Sequence, residues 1–397
     1  MIVLKFQKIK SRLEKELSKE ENQLDNLALE IHCHPELSFQ EYLASELLTD
    51  YLEKQGFKVE KGIAGLKTSF RAYSRNKSRR PCVGFLAEMD ALSGLGHACG
   101  HNLIGVSSVG AGVILRKAFP ELKGGIEVIG CPAEERGGGK VIMEKAGVFD
   151  GLDLAIMVHP SNRTELYKLS LALVEVELEF IGRASHASAN PEQGINALDS
   201  AIETFNIVNA LRSKLGGYAR INGIIREGGK APNIIPDRTK IEFWVREENL
   251  EKALSLARIV KRAGESSARA IGAKCRAKIH KELGYEAFLP NRTAGKALWE
   301  IFQGLGIKIE QGDEKKEMGS TDVGNLSWKV PTLHPTIKIG EAVPHTEEFA
   351  QASGSEKGLN QMKNMILAMA ILGYRVMTDR RLRIQMWEEL AEEKKRK

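Results

Sequence analysis

The fold follows from residues 82–101, which read CVGFLAEMDALSGLGHACGH. The stretch opens with an apolar run, Cys82–Phe85, that predicts a buried strand, and it continues into a glycine-rich loop that can bend tightly. A helix is predicted soon after it, over Val106–Phe119. Strand, loop and helix in this order are typical of an α/β layer, in which ligands bind at the carboxyl ends of the strands.

The pattern around this stretch predicts two domains. Strands alternate with helices over residues 30–170, whereas Leu173–Phe180 alternates strictly between apolar and acidic residues, as a half-exposed antiparallel strand does. A β-α-β-β-α-β order follows, which is the ferredoxin-like arrangement. We therefore predict an α/β catalytic domain with a mixed, mostly parallel sheet, formed by residues 1–170 and 285–397, and an inserted ferredoxin-like α+β domain at 171–284.

Composition excludes several classes of protein. The net charge of +6 is spread over 397 residues, and the basic run Lys394–Lys397 has no interleaved aromatic residues, so we interpret it as a solvated tail and not as a nucleic-acid contact. The first residues show no secretory signal, and no apolar stretch reaches about 18 residues. The five scattered cysteines do not form a disulfide framework. We expect a cytoplasmic protein without nucleic-acid or membrane partners.

Four short segments carry side chains that bind metals. Cys99 and His101 lie in the quoted loop, the pair Glu134-Glu135 follows the apolar run 126–131, His159 follows the run 154–158, and His345 lies in Pro344–Glu348. Each segment alone has a simpler interpretation, as a solvated acidic pair, a capping histidine or a small buried thiol. Three of the segments follow one another at strand ends within about 60 residues, and this repetition favours a metal site.

The motifs resemble those of the dinuclear metallo-amidohydrolases. The resemblance rests on residues 85–104, 34–39 (HPELSF), 131–135 (CPAEE), 182–186 (GRASH), 232–237 (PNIIPD), 319–322 (GSTD) and 345–346. This family contains aminoacylases and carboxypeptidases, and the chain is most similar to its branch of Xaa-Arg (β-alanyl-lysine) dipeptidase, aminobenzoyl-glutamate hydrolase and indoleacetyl-amino-acid hydrolase. The resemblance implies a zinc-exopeptidase-like catalytic domain and an inserted dimerisation or lid domain.

The resemblance also implies a metal centre. Its ligands would be Cys99, His101, Glu135, His159 and His345, holding two divalent ions, zinc in the first place and manganese, cobalt or nickel as alternatives. Cys99 stands where many relatives have a bridging aspartate. The wider superfamily has a His-X-Asp motif where this chain has Glu88-Met89-Asp90, so that histidine ligand is absent and Glu88 is not assigned to the metal. Asp90 is expected to orient a ligand, with a helix or turn cap near Ala91 as the alternative.

Three further residues receive catalytic or binding roles from the resemblance. Glu134 would be the general base. His186 would stabilise the oxyanion of a neighbouring subunit in a homodimer formed through the inserted domain, or would be a loop histidine that caps the helix at Asn196. Asn233 would bind the substrate carboxylate, or would serve only its turn between two prolines.

The predicted reaction is hydrolysis of the amide bond of a small carboxylate-bearing molecule, a dipeptide or an N-acyl amino acid, by a metal-activated water. Two alternatives stay within the family: a metal-binding member without catalysis, and aminobenzoyl-glutamate hydrolase or carboxypeptidase specificity. A cysteine hydrolase that uses Cys99 with His101 is a weaker alternative, because residues two apart rarely place a nucleophile and its base correctly.

Overall fold

The computed structural model describes residues 2–74, 80–310 and 318–396. The chain forms two compact units, the first made of residues 1–169, 289–318 and 325–397 and the second of residues 170–288 and 319–324, apart from the positions outside the described ranges. None of the described helices combines the length and the apolar character needed to cross a membrane.

The helices are, in chain order, α1 (Ile2–Cys33), α2 (Tyr42–Lys54), α3 (His101–Ala118), α4 (Gly139–Lys145), α5 (Ala197–Arg212), α6 (Leu250–Ile271), α7 (Arg292–Leu305), α8 (Val323–Ser327), α9 (Glu347–Ser353), α10 (Glu356–Thr378) and α11 (Arg380–Arg396). The strands are β1 (Lys58–Lys61), β2 (Phe70–Tyr73), β3 (Cys82–Glu88), β4 (Gly125–Cys131), β5 (Leu154–Ile156), β6 (His159–Ser161), β7 (Ala172–Ile181), β8 (Arg220–Glu227), β9 (Arg238–Glu247), β10 (Lys274–Ile279), β11 (Thr332–Leu333) and β12 (Thr336–Lys338).

The first unit contains a mixed sheet with the strand order β1-β2-β4-β3-β5-β11. The β4-β3-β5-β11 half is parallel, and β1 and β2 pair antiparallel at its edge. Every residue of β3 and β4 is buried, as expected for strands covered on both faces. The prediction of a mixed, mostly parallel sheet is confirmed. The carboxyl ends of β3, β4 and β5 lie at one edge, and the segments with Cys99, His101, Glu134, Glu135 and His159 follow them; His345 lies between β12 and α9.

The second unit is a four-stranded antiparallel sheet, order β10-β7-β9-β8, with α5 and α6 packed on it. Its element order is the predicted β-α-β-β-α-β. The alternation in β7 buries Val174, Val176, Leu178 and Phe180 and leaves the intervening glutamates less buried. The ferredoxin-like arrangement is confirmed.

Helix α11 was not predicted. Its buried side chains, Leu382, Met386 and Leu390, recur every four residues and form one apolar stripe on an otherwise charged helix. The basic run is exposed, as expected for a solvated segment, although Lys394–Arg396 belong to the last turn of α11. Lys397 lies outside the described residues.

Candidate metal centre

The loop after β3 brings Cys99 and His101 to the edge of the sheet. Gly100 lies between them with φ +75°, and α3 begins at His101. A Cβ at position 100 would lie 2.9 Å from Cγ of Pro160. The backbone therefore needs glycine at this position, both for its left-handed conformation and for the close approach of Pro160.

The loop after β4 presents Glu134 and Glu135. It turns at Ala133, which adopts φ +60° although it is not glycine. The carbonyl of Ala133 accepts hydrogen bonds from the amides of Gly138 (3.1 Å) and Gly139 (3.3 Å) and closes the turn. The two adjacent glutamates, both half-buried, belong to this closed turn after the carboxyl end of β4.

The predicted ligands form overlapping groups, in each of which one ligand atom per residue lies within 4.8 Å of the others. Cys99 belongs to one group with His101 and His159, and to a second group with Glu135 and His345. Glu134 joins His101 and Glu135 in a third group. The structure therefore brings together all five predicted ligands and the predicted base, with the Cys99 sulfur common to two groups.

Asp90 lies behind His101. Its Oδ1 accepts a hydrogen bond from Nδ1 of His101 at 3.1 Å, and its Oδ2 accepts from Ser38 Oγ (2.8 Å) and from the amide of Glu135 (3.0 Å). Burial raises the pKa of Asp90, but the bond from His101 and the charge on that ring outweigh this and lower the pKa to about 2. Its alternative role as a cap near Ala91 is wrong, because its oxygens accept from His101, Ser38 and the Glu135 amide, and the amide of Leu92 donates to the carbonyl of Gly96.

The buried His101 and the half-buried His159 each leave Nε2 available for a metal. In His101, Nδ1 is bonded to Asp90; in His159, Nδ1 donates to the carbonyl of Pro160 at 2.6 Å. Burial and the neighbouring His334 ring lower the pKa of His159 well below its usual value. A neutral ring with one nitrogen engaged is the form in which histidine binds a metal, and this describes His159. For His101, burial lowers the pKa, but the bond to Asp90 and the charge of Glu88 outweigh it and raise the pKa well above its usual value, so a metal bound there would displace a proton from Nε2.

The donor atoms fit a bound cation. Among the described residues, Nε2 of His101 and Oε1 of Glu135 are buried atoms without a hydrogen-bond partner, 3.7 Å apart. Burial, followed by the Glu135 carboxylate, raises the pKa of the Cys99 thiol well above its usual value. A buried thiol beside a carboxylate needs a cation to become the thiolate that binds metal. The unpaired donors and the mixed sulfur, nitrogen and oxygen set therefore match a metal centre.

Glu88, which the sequence did not assign to the metal, forms a buried ion pair at this edge of the sheet with Lys140, which was not predicted. Glu88, the last residue of β3, and Lys140, in the first turn of α4, are both 0% exposed and form an ion pair with 2.7 Å between Oε1 and Nζ. The other oxygen of Glu88 lies 3.5 Å from Nε2 of His101. Burial raises the pKa of Glu88, but Lys140 and then His101 lower it below its usual value. Glu88 is thus an ionised neighbour of the ligand cluster.

His186 and Asn233 lie together in the second unit, and both are exposed. Residues 186 and 234 form an isolated bridge, and the carbonyl of Asn233 accepts from the Ala187 amide at 3.0 Å. Nδ1 of His186 accepts from the amides of residues 188 and 189, whereas the side chain of Asn196 itself caps α5. The alternative of His186 as the cap of that helix is therefore wrong.

Comparisons with known proteins identify relatives. The family profile described as a peptidase dimerisation domain of the M20 type matches residues 172–270. Xaa-Arg dipeptidase of Mus musculus is 36% identical over 366 residues, covering 88% of this chain and 84% of that protein. One of the polypeptides of p-aminobenzoyl-glutamate hydrolase from Escherichia coli is 28% identical, covering 73% of this chain and 64% of that polypeptide.

A solved structure has the same fold. The YXEP protein of Bacillus subtilis, described as a dinuclear metal-binding peptidase from the M20 family, aligns with a TM-score of 0.62 and 21% identity over 89% of this chain and 99% of that one. The sequence identity to the mouse dipeptidase extends over most of both chains, so it shows membership of the same family and not only the same fold. The protein belongs to the M20 family of peptidases and amidohydrolases and is a metal-dependent hydrolase of amide bonds.

Proposed function

We propose that this protein is a dinuclear zinc dipeptidase, and that dipeptides with a basic C-terminal residue are its preferred substrates. The observation that carries the proposal is the Cys99 sulfur, which is common to two groups of metal-binding side chains, one with His101 and His159 and the other with Glu135 and His345. The substrate class rests on the identity to a protein named Xaa-Arg dipeptidase.

We assign the two ions to the two groups that share Cys99. His101 and His159 would complete one set of ligands, and Glu135 and His345 the other. Thiolate, imidazole and carboxylate donors together favour zinc over the harder divalent cations. Metal analysis of the purified protein by mass spectrometry tests this assignment, and a content well below two ions per chain after reconstitution with zinc would contradict it.

Glu134 is the proposed general base. When bound, the ions would polarise the scissile carbonyl and lower the pKa of the attacking water. Glu134 would take the proton from that water and deliver it to the leaving amide nitrogen. Asp90 would hold His101 in its tautomer and orientation. Adjacency to Glu135 supports the assignment, because it places a carboxylate beside the metal ligands within the same turn.

The substrate assignment is tested with a panel of amides. Xaa-Arg and Xaa-Lys dipeptides, N-acetyl amino acids and p-aminobenzoyl-glutamate are compared by kcat/KM on the zinc-loaded protein. We expect the basic dipeptides to be the best substrates. A higher value for p-aminobenzoyl-glutamate would move the specificity to the hydrolase represented by the Escherichia coli relative.

The base assignment is tested with Glu134→Gln. The amide is isosteric with the carboxylate but cannot take the proton, so kcat should fall by about 100-fold or more while the metal content stays that of the wild type. Near-normal turnover by this variant would refute the role of Glu134. Metal bound by a wild-type protein that cleaves none of the substrates would favour the alternative of a non-catalytic binding protein.

We also propose a homodimer formed through the second unit, in which the partner subunit's His186 stabilises the oxyanion and Asn233 binds the substrate carboxylate. The match of the dimerisation profile to residues 172–270 supports this arrangement. If His186 acts across the dimer, mixing the inactive His186→Ala and Glu134→Gln proteins should restore activity, because each mixed dimer contains one intact site. No recovery in mixtures shown to exchange subunits would contradict the arrangement.

A further inference from the structure

The segment 34–41 (HPELSFQE) carries a buried carboxylate that the proposed function leaves without a role. Glu41 is 0% exposed, and it occupies the N-cap position of α2 without capping that helix. The amides of Leu43 and Ala44 are instead held by Glu36, at 3.0 Å each. The Glu41 side chain therefore does not serve the helix that it precedes.

Glu41 binds the turn of the proposed base instead. Its Oε1 accepts hydrogen bonds from the amides of Ala133 (2.8 Å) and Phe39 (2.9 Å), and its Oε2 accepts from Thr68 Oγ1 (2.6 Å). Ala133 and Phe39 have φ +60° and +65°, and they are two of the four non-glycine residues with positive φ in the described part of the chain. One oxygen atom thus holds two residues in a conformation that their side chains disfavour.

The contact between Glu41 and Ala133 lies directly beside the proposed general base. Ala133 precedes Glu134, and Glu135 follows it; the amide of Ala133 is held by Glu41 and the amide of Glu135 by Asp90. The residue between the two anchored amides is the proposed base. The residues on either side of Glu134 are thus each held by a buried carboxylate, Ala133 by Glu41 and Glu135 by Asp90.

We propose that Glu41 is a positioning residue of the hydrolytic reaction, which holds Ala133 in its left-handed conformation and so directs Glu134 at the reacting water. The inference rests on the proposed function of Glu134. Because Asp90 holds the amide of Glu135 through a hydrogen bond of its own, loss of Glu41 should disturb the base and leave the metal ligands in place. A shift of about 1 Å in a catalytic group is enough to lower turnover by about 100-fold.

Three substitutions at position 41 distinguish the effect of side-chain length from the effect of charge. Glu41→Ala removes the acceptor, and kcat should fall by about 100-fold with wild-type metal content and a KM within about threefold. Glu41→Gln keeps an oxygen at the same distance from both amides and should retain at least about half of kcat. Glu41→Asp keeps the charge but withdraws it by one methylene, and it should lose more turnover than Glu41→Gln.

Glu20 provides a matched control. It is a buried carboxylate of the same unit that also accepts from three donors, Tyr51 (2.8 Å), Gln55 (2.9 Å) and Lys117. These donors lie near the carboxyl ends of α2 and α3, whereas the ligand His101 is at the start of α3. Glu20→Ala should lower the melting temperature as Glu41→Ala does, but should change kcat less than about twofold. Ala133→Gly tests the backbone directly: glycine adopts φ +60° without strain, so it should restore part of the kcat lost in Glu41→Ala.

The outcomes are distinguishable. Equal kcat in Glu41→Ala and Glu20→Ala, with Glu134→Gln inactive, overturns the role of Glu41 alone. An active Glu134→Gln overturns the proposed function itself. Loss of metal in proportion to loss of kcat also overturns the inference, because Glu41 would then act on the ligands and not on the base. If Glu41→Ala does not fold, the order of Glu41→Gln and Glu41→Asp decides, and higher turnover in Glu41→Asp contradicts the proposal.

Discussion

Replacing Lys140 with methionine should destabilise the metal-free protein far more than the zinc-loaded one. Lys140 and Glu88 are both 0% exposed, with 2.7 Å between their charged atoms. Methionine fills much of the lysine stem but leaves the Glu88 carboxylate buried without this cation. Removing one partner of a buried ion pair lowers the free energy of unfolding by about 3–5 kcal/mol, because the remaining charge stays desolvated.

Bound zinc should offset much of this loss. Oε2 of Glu88 lies 3.5 Å from Nε2 of His101, the nitrogen to which we assign a metal. Cations at that position attract the Glu88 carboxylate and replace part of the charge that Lys140 supplied. With about 2–4 °C per kcal/mol for a unit of this size, the melting temperature of the metal-free variant should fall by roughly 6–20 °C. In excess zinc we expect less than half of that shift.

The assay is thermal unfolding of wild type and variant, each after chelation and again with zinc. The double variant Glu88→Gln with Lys140→Met removes both charges and is the control, since it should recover most of the stability that the single variant loses without metal. A melting-temperature shift of the same size with and without zinc would refute the reasoning, as would a double variant no more stable than the single one.

Two further predictions concern the same unit. Arg71→Met should lower the free energy of unfolding by about 3–5 kcal/mol, because it leaves the fully buried carboxylate of Glu127 without the guanidinium 2.6 Å away. Urea titration should show that the double variant Arg71→Met with Glu127→Leu recovers most of this stability. A double variant no more stable than Arg71→Met would contradict the prediction. Gly100→Ala should reduce the zinc content measured after dialysis, because the new Cβ, which lies between the ligands Cys99 and His101, would clash with Pro160. Gly94→Ala is the control: Gly94 has a similar φ of +76°, but a Cβ there has no neighbouring atom within 4 Å, so this variant should bind zinc as the wild type does.

The sequence was most informative where local pattern and chemistry coincide. The apolar runs at β3, β4 and β5 predicted buried strands, and the Cys, Glu and His residues after them lie together because parallel strands end at one edge of a sheet. The period of two in β7 likewise predicted its buried face. In these places a window of ten to twenty residues contains the physical cause of the structure.

Contacts between distant segments could not be predicted in this way. Glu41 reaches Ala133 across 92 residues of sequence. The motif 34–39 precedes Glu41 directly, but a carboxylate at the start of a helix is ordinarily interpreted as a cap. Helix α11 escaped because its apolar stripe is only one residue in four and lies among many charges, which resembles the pattern of a solvated segment.

The Glu88–Lys140 pair explains how this chain departs from the His-X-Asp pattern of the wider superfamily without leaving an unbalanced charge. Asp90 is kept, and it bonds Nδ1 of His101. At the position of the histidine, a glutamate adds one negative charge at 0% exposure, which burial strongly disfavours on its own. Lys140 supplies the opposite charge from the glycine turn that also presents Glu134 and Glu135. The buried glutamate is therefore expected to be tolerated only while Lys140 supplies the opposite charge.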